Sequence, residues 1–352
     1  MTVKDIIELQ TKLSDLIGVP GHEEPIAELI IQEVTPLVDK IWTDPLGNVL
    51  AIKEGLKGEN RILLDAHMDE VGLMVSHVEP NGFLRFVLLG GWDTRTLLSQ
   101  SVVLLNDKGE VYHGVIGAKP PHILTAEERT KPVQPHEMYI DVGLRSEGEV
   151  VDNGIHVGSV GTLHDPVVVF PNNMLRARAL DDRLGCNLII QLLRRLKNEK
   201  IDDTLVINFA VQEEVGARGG KTGAYTLEPT MALALETTTG ADVPDVKDPM
   251  CPTKVGDGPA LTVADRSMVA SPKVLARLRK NAELKGIKYQ YKKPASGGTD
   301  AGQIHLSRGG VPSGVVSVPC RYLHSPVSMA SMDDAMAVLE LVEAFVRNPA
   351  SV

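Results

Sequence analysis

A histidine and an aspartate stand two residues apart at the end of a strand-like run in this 352-residue sequence. The apolar segment 62–64 leads into Asp-Ala-His-Met-Asp at 65–69, which places His67 and Asp69 on one face of an extended backbone. His67 could bind a metal ion while the Asp69 carboxylate accepts its second N–H and fixes its tautomer. A histidine hydrogen-bonded within the core explains this motif, taken alone, equally well.

Two adjacent carboxylates follow a second strand-like run. The segment 205–211 leads through Gln212 to Glu213 and Glu214, at the point where a buried strand would leave its sheet. Because neighbouring side chains point in different directions, one carboxylate could bind a metal ion while the other faces a water molecule. Metal-assisted hydrolysis requires both roles. A solvated acidic turn is the alternative for this segment by itself.

Further metal-competent side chains occupy the ends of other elements. Open α/β sheets bind ligands at the carboxyl ends of their strands, and the free N–H groups at a helix start favour carboxylates. The candidates in such places are Glu236 after the run 232–235, His324 after the run 315–318, and Asp181 and Asp182 before the helical pattern at 183–199. Simple N-capping explains the two aspartates equally well.

Five of these residues together supply the donors of a two-metal site. They are His67, Asp181, Glu214, Glu236 and His324. Three carboxylates and two imidazoles suffice for two divalent ions that share one bridging carboxylate and leave positions for water and substrate. Zinc suits this donor set, and cobalt or manganese can use the same nitrogen and oxygen atoms. The sequence therefore predicts hydrolysis assisted by two divalent metal ions per subunit.

The elements that must position these residues show two different patterns along the chain. Residues 1–73 and 166–352 alternate between strand and helix patterns, with strands around 39–53 and a helix from about 181 to 199. Residues 74–165 contain short β-like runs punctuated by glycine and proline. We therefore expect one α/β domain with a small β-rich domain inserted in a surface loop.

Composition and charge exclude several classes of protein. Acidic residues outnumber basic ones by 46 to 36, so the formal net charge is -10 and no domain-wide basic surface is available for nucleic acid. No run of about 18 apolar residues could span a membrane, and charged residues interrupt the N-terminus where a secretory signal would be apolar. Three widely spaced cysteines favour a reducing compartment. We expect a soluble cytoplasmic protein without nucleic-acid or membrane partners.

The motifs closely resemble those of the M42 metallopeptidases, the tetrahedral or TET aminopeptidases, which include glutamyl aminopeptidase, FrvX-like and endoglucanase-M-like proteins. The resemblance spans nearly the whole chain and keeps the order of the motifs. It rests on the segments 65–72, 90–92, 179–183, 212–216, 296–301 and 324–326, which read DAHMDEVG, GGW, ALDDR, QEEVG, SGGTDA and HSP.

The resemblance implies a role for each candidate residue. Each metal ion would have three protein ligands, with one of them shared: His67, Asp181 and Glu236 for one ion, and Asp181, Glu214 and His324 for the other. Glu213 would be the general base that deprotonates the attacking water and passes the proton to the leaving amine. Asp69 would orient His67.

The resemblance also implies a fold and an assembly. The expected fold is a mixed-sheet α/β dinuclear-metal exopeptidase domain, interrupted by a small β-rich, barrel-like dimerisation domain. Members of the family commonly form homo-oligomers in which dimers build a tetrahedral dodecamer. The implied activity is an aminopeptidase that removes N-terminal residues from short peptides.

Two positions depart from the family's pattern, and two other activities stay open. Glu236 stands where many members have Asp, which changes its reach, and Ser328 stands where many have an acidic residue.

A metal-dependent deacylase or other amidohydrolase could use the same site. A glycosidase fits less well, because tandem Glu213 and Glu214 cannot flank opposite faces of a sugar and aromatic residues make up only 4% of the chain. Asp300 is left outside the catalytic set, since an Asp hydrogen-bonded in a turn explains it equally well.

Overall fold

The computed structural model describes residues 2–58, 60–293 and 297–347, so that Ser296 of the 296–301 motif lies outside the described residues. The described chain forms two compact units. The first comprises, as far as they are described, Met1–Asp69, Val167–Leu323 and Val327–Val352, and the second comprises Glu70–Pro166 and His324–Pro326. The domain boundaries expected from the sequence, at 73/74 and 165/166, stay a prediction.

Helices and strands follow one another in the first unit, whereas strands predominate in the second. The chain begins with α1 (Val3–Asp15), α2 (Glu24–Val34), β1 (Lys40–Thr43), β2 (Val49–Lys53) and β3 (Arg61–His67). The second unit follows with β4 (Gly72–Val78), β5 (Leu84–Leu89), β6 (Ser101–Leu105), β7 (Val111–Gly117), β8 (Tyr139–Asp141), α3 (Glu147–Asp152) and β9 (Val160–Leu163).

After this insertion the chain returns to the first unit. It continues with β10 (Val168–Val169), β11 (Met174–Arg176), α4 (Leu180–Arg195), β12 (Thr204–Ala210), α5 (Arg218–Leu227), β13 (Met231–Thr239), β14 (Ala260–Thr262) and α6 (Pro272–Lys285). It ends with β15 (Gln290–Lys292), α7 (Ala301–Ile304), β16 (Ser313–Arg321), β17 (Met329–Ser331) and α8 (Met332–Arg347). None of the helices in the described ranges is long and apolar enough to cross a membrane.

Local sequence explains where several of these elements begin and end. Thr2 and Asp5 form a capping box at the start of α1, which satisfies backbone N–H groups that have no partner inside the helix. Helix α6 begins with Pro272 and is capped after Lys285 by Gly286, whose φ of 66° is the left-handed conformation that glycine adopts at little cost. Between β1 and β2, the Asp44 carboxylate accepts three consecutive backbone N–H groups and closes the turn.

The sheet of the first unit is mixed, as the sequence predicted. Within the described residues it has eleven strands, nine of them in the order β1-β2-β12-β3-β13-β16-β17-β11-β10, while β14 pairs with β15 and β16. Strands β12, β3, β13 and β16 run parallel to their neighbours in this group. The flanking pairs β1–β2, β2–β12 and β16–β17 are antiparallel.

Helices cover both faces of this sheet. Ile62 and Leu64 of β3 pack into the larger apolar core together with residues of α1, α2, α4, α6 and α8. Leu63 points to the opposite face, where it packs with residues of α5 and α7. A strand buried on both faces is the usual reason for a continuous apolar run, and it explains why β3, β12 and β13 lack strict alternation. The carboxyl ends of these parallel strands lie at one edge of the sheet.

The second unit is a closed antiparallel barrel, which confirms the expected small β-rich, barrel-like fold. Among the described residues its strand order is β4-β5-β8-β7-β6-β9. The interior is filled by its own apolar cluster, which includes Leu73, Leu84, Val102 and Ile140. A hydrophobic core of its own is a usual property of a domain.

We predict that Gly219→Ala destabilises the first unit by about 1–3 kcal/mol, because it overpacks a close contact between α5 and the end of β12. A Cβ atom at Gly219 would lie 2.5 Å from the backbone N and O of Val211 and 2.3 Å from Asn48 Oδ1. Urea unfolding measures the change. Gly148→Ala is the control, since its Cβ would meet only Ser146 Oγ at 3.9 Å. Equal stability of both variants would contradict the prediction.

Candidate active site

His67 lies at the carboxyl end of β3 and is buried. Its Nδ1 atom is 3.0 Å from the backbone carbonyl O of Asp69 and 3.4 Å from Asp69 Oδ1. Both neighbours are acceptors, so Nδ1 carries a proton, and Nε2 is the nitrogen through which the ring could bind a metal ion. The carboxylate of Asp69 was expected to orient this ring, but the shorter contact is made by the backbone carbonyl of the same residue.

Three carboxylates surround the other nitrogen of His67. Nε2 is 3.4 Å from Asp181 Oδ1 and 3.9 Å from both Glu213 Oε2 and Glu236 Oε2. The strand register explains how these distant residues meet. Ala210 of β12 pairs with His67, and Ala234 of β13 pairs with Asp65, two residues before His67, which brings Glu236 to the same level.

Two groups of donor atoms at this edge could each hold a metal ion. One consists of His67, Asp182 and Glu236, all of them buried, and the other consists of His67, Asp181 and Glu214. In each group the possible ligand atoms lie within 4.8 Å of one another. Four of the five residues expected as ligands therefore lie together. Their division between two ions stays a prediction.

Asp182 belongs to one of the two donor groups but is not among the five ligands expected from the sequence. It is fully buried, its Oδ1 accepts the Gly185 N–H at 3.2 Å, and its Oδ2 has no hydrogen-bond partner among the residues described. A buried carboxylate oxygen without a donor is costly unless a cation or proton compensates it. The donor set thus fits a divalent metal ion. In the sequence, Asp182 was a candidate beside Asp181 at a helix start.

The titration behaviour of these groups follows from burial and from their mutual repulsion. The pKa of Glu213 is raised to about 8, chiefly by burial; His67 opposes this increase, and the nearby Asp300, Asp69 and Asp181 contribute to it. Burial likewise raises the pKa of Glu236 and of Asp182 well above the ordinary range. A divalent cation would oppose these shifts because it stabilises the carboxylate form.

His67 has a pKa that is shifted by opposing causes. Burial alone would lower it, but hydrogen bonds to Asp181 and Asp69 outweigh burial and hold the pKa well above its ordinary value. The surrounding carboxylates therefore favour the protonated, positively charged form of the ring. A metal ion at Nε2 would take the place of the proton that these carboxylates favour.

His324, the fifth expected ligand, belongs by its contacts to the second unit. Its backbone φ is 56°, and its Nδ1 lies 2.8 Å from the carbonyl O of Gly91. That carbonyl fixes the proton on Nδ1 and leaves Nε2 as the atom with a lone pair. A Cβ at position 91 would come within 3.3 Å of the ring, which explains the glycine. The role of His324 as a ligand stays a prediction.

Asp300 lies in a buried network and in neither of the two donor groups. Its Oδ1 accepts the Gly220 N–H at 3.2 Å, and burial together with the nearby Asp65 holds its pKa well above the ordinary value. Asn208 Nδ2 donates to Asp65 Oδ2 at 2.6 Å. Burial raises the pKa of Asp65 to about 7. This network joins β3, β12 and the starts of α5 and α7.

The fold and the site indicate a class of protein: an α/β enzyme in which carboxylates and an imidazole that could hold a metal ion lie beside the carboxyl ends of parallel strands and the start of α4. The family model of the M42 glutamyl aminopeptidases matches residues 47–341. The chain belongs to this family and is a peptidase.

Individual relatives agree over nearly the full length. The chain is 40% identical over 345 residues to a putative aminopeptidase of Acetivibrio thermocellus, covering 98% of this chain and 99% of that protein. It is 31% identical to the lysyl aminopeptidase of Pyrococcus furiosus, covering 96% and 95%.

Solved structures show the same fold. An aminopeptidase from the archaeon Desulfurococcus kamchatkensis superposes with a TM-score of 0.94 at 39% identity, covering 98% of this chain and 95% of that one. The TET1 peptidase of Pyrococcus horikoshii, which can assemble into a tetrahedron or a large octahedral shell, has a TM-score of 0.86 at 32% identity, covering 97% and 99%.

Proposed function

We propose that this protein is an aminopeptidase that uses two divalent metal ions to remove N-terminal residues from short peptides. The observation that carries the proposal is the pair of donor groups that meet at His67, with Glu213 beside them and in neither group. Membership of an aminopeptidase family supports the choice of a peptide with a free amine as the substrate.

The residues at the site divide into ligands and a base. His67, Asp181 and Glu236 are the proposed ligands of one ion, with Asp182 close enough to contribute, and Asp181, Glu214 and His324 are those of the other. Zinc is the first candidate, and cobalt or manganese accept the same donors. When bound, the two ions would polarise the scissile carbonyl and acidify the attacking water.

The protein's own groups would carry the protons and hold the geometry. Glu213 Oε2, 3.9 Å from His67 Nε2, would accept the proton of the attacking water and return it to the nitrogen of the leaving amine. Asp69 would keep the proton of His67 on Nδ1 through its backbone carbonyl and its carboxylate, so that Nε2 stays available as a ligand.

The assembly and location of the protein are also part of the proposal. We expect a homo-oligomer in which the barrel unit mediates dimerisation and dimers build a tetrahedral dodecamer, since the TET1 relative can form a tetrahedron. Light scattering during size-exclusion chromatography measures the assembly. Cys186, Cys251 and Cys320 are buried and free, which agrees with a reducing, cytoplasmic location.

A panel of aminoacyl-p-nitroanilides with N-acetylated controls tests the activity. We expect chelation to abolish hydrolysis and zinc, cobalt or manganese to restore it on free-amine substrates alone. Glutamyl and lysyl substrates belong in the panel because the family is named for a glutamyl aminopeptidase and one relative is a lysyl aminopeptidase.

Other outcomes of this panel decide between the proposal and its alternatives. Cleavage of only the blocked substrates would identify a deacylase or another amidohydrolase on the same site. Release of reducing sugar from polysaccharide without added metal would favour a glycosidase. Activity that survives complete removal of metal would contradict the metal-dependent mechanism.

A further inference from the structure

Two buried carboxylates hold the backbone of the segment that carries the proposed general base. Gln212 N–H donates to Glu23 Oε1 at 3.1 Å, Glu213 N–H donates to Asp69 Oδ1 at 3.0 Å, and Glu214 N–H donates to Asp69 Oδ2 at 3.1 Å. Three consecutive amides are thus bound by side chains from two distant parts of the sequence. We call Glu23, Asp69 and these three amides the carboxylate clamp.

Glu23 is an unusual residue for the start of a helix. It occupies the N-cap position of α2, but its side chain makes no capping hydrogen bond with that helix. It is only 4% exposed, and its Oε1 accepts the N–H groups of Gly21 at 2.8 Å and of Gln212. Burial raises the pKa of Glu23 to about 7, because a carboxylate is disfavoured where little water reaches it. The helix itself therefore does not explain why a carboxylate is buried here.

The segment held by Glu23 has a backbone conformation that needs support. Strand β12 ends at Ala210, and Gln212 then adopts a φ of 57°. For a residue other than glycine this left-handed conformation costs free energy, and it persists only where surrounding contacts fix it. The next two residues are the proposed base and a proposed ligand. A change in the backbone conformation of Gln212 would therefore displace the carboxylates of both Glu213 and Glu214.

We propose that Glu23 is a positioning residue for Glu213, which it orients through the backbone N–H of Gln212. The proposal rests on the function assigned above to Glu213. Glu23 itself touches neither substrate nor metal in this scheme. Asp69 holds the next two amides, so the base and the adjacent ligand are set by the same pair of carboxylates. Placement within a fraction of an ångström matters for proton transfer, because small displacements of a catalytic group cause large losses of rate.

Glu23→Met removes the acceptor while nearly keeping the side-chain volume. In the metal-loaded protein we expect kcat to fall by about 10- to 100-fold, with KM nearly unchanged and two equivalents of metal retained. Glu23→Gln keeps an oxygen that can accept the Gln212 N–H, although as a weaker neutral acceptor, and we expect its kcat to stay within about threefold of the original. A loss in Met with rescue by Gln separates positioning from general packing.

The matched control is Ile30→Val, which removes one methyl group from a buried position of the same helix. It should lower stability without changing kcat, because it leaves the clamp intact. An equal loss of kcat in Ile30→Val and Glu23→Met would overturn the positioning role, since α2 stability alone would then explain it. An unchanged kcat in Glu23→Met would overturn it as well.

A second measurement does not depend on peptidase activity. Amide hydrogen exchange at Gln212, resolved by mass spectrometry of the metal-loaded protein, should be slow in the original and Glu23→Gln proteins and at least about tenfold faster in Glu23→Met, since an amide is protected by its hydrogen bond. Equal exchange rates of the Gln212 amide in the original, Glu23→Gln and Glu23→Met proteins would overturn the hydrogen bond between Glu23 and Gln212. If the original protein has no metal-restored peptidase activity, the proposed function fails, while this measurement still tests the clamp.

A shorter carboxylate keeps the proposal testable if Glu23→Met does not fold. Glu23→Asp preserves the charge but withdraws the acceptor by one methylene group. We expect faster exchange at Gln212 and a kcat reduced by about 3- to 10-fold, because the hydrogen bond is stretched rather than lost. Unchanged exchange and kcat in this variant would overturn the proposal.

Discussion

Replacing Glu213 by Gln is expected to lower turnover by about 10²- to 10⁴-fold while both metal ions remain bound. Glu213 Oε2 lies 3.9 Å from His67 Nε2, close to the donor groups but in neither of them. The amide of Gln keeps the size of the side chain but cannot accept a proton from water. Single-turnover kinetics and metal analysis by mass spectrometry measure the two effects separately.

Glu214→Gln is the matched comparison for this variant, because it makes the same chemical change one residue away. Glu214 belongs to the donor group with His67 and Asp181, so we expect this variant to lose metal as well as activity. Loss of metal in Glu213→Gln, with full metal in Glu214→Gln, would mean that the two glutamates have the opposite roles.

Asp181→Asn is expected to weaken the binding of both metal ions and to lower activity by at least about a hundredfold. Asp181 is the proposed bridging ligand, and its Oδ1 lies 3.4 Å from His67 Nε2. Loss of a residue that merely orients a ligand typically costs 10- to 100-fold in metal affinity or activity, so loss of a shared ligand should cost more. Metal stoichiometry after dialysis against a weak chelator measures the change.

Asp182→Asn tests whether the neighbouring carboxylate has the bridging role instead. Asp182 lies in the donor group with Glu236 and His67, so we expect its substitution to weaken the binding of one ion and to leave the binding of the other unchanged. Two equivalents of metal in Asp181→Asn, together with loss of both in Asp182→Asn, would move the bridge to Asp182. The Asn side chain is isosteric in each case, which keeps differences in packing small.

Much of the site could be predicted from the sequence because its residues follow long apolar runs. The runs before His67, Glu213 and Glu236 are strands β3, β12 and β13, and parallel strands place their carboxyl ends at one edge. The α/β domain and its β-rich insertion followed from the change in pattern along the chain, which a sequence shows directly. The mixed sheet and the barrel-like form of the insertion were implied by the family resemblance.

Other features depend on contacts between residues that are distant in sequence and have no local signature. In the sequence, Asp182 is explained equally well as a helix cap; the structure shows that its buried Oδ2 has no hydrogen-bond partner in the described part of the chain. Glu23 has the sequence context of an ordinary N-cap, and only the fold brings it to Gln212. The carboxylate of Asp69 was expected to act on His67, but two of its hydrogen bonds go to backbone N–H groups that no sequence pattern specifies.

The parallel register of β3, β12 and β13 has a consequence for how the protein matures. In each donor group His67 precedes the whole barrel unit and the other members follow it, so no short fragment of the chain contains a complete donor group. Pairings between such distant segments form slowly, because a long loop must close before any contact stabilises it. We therefore expect the proposed metal ions to bind with high affinity only late in folding, after the central strands have assembled. Newly made chains would acquire their ions as nearly finished domains.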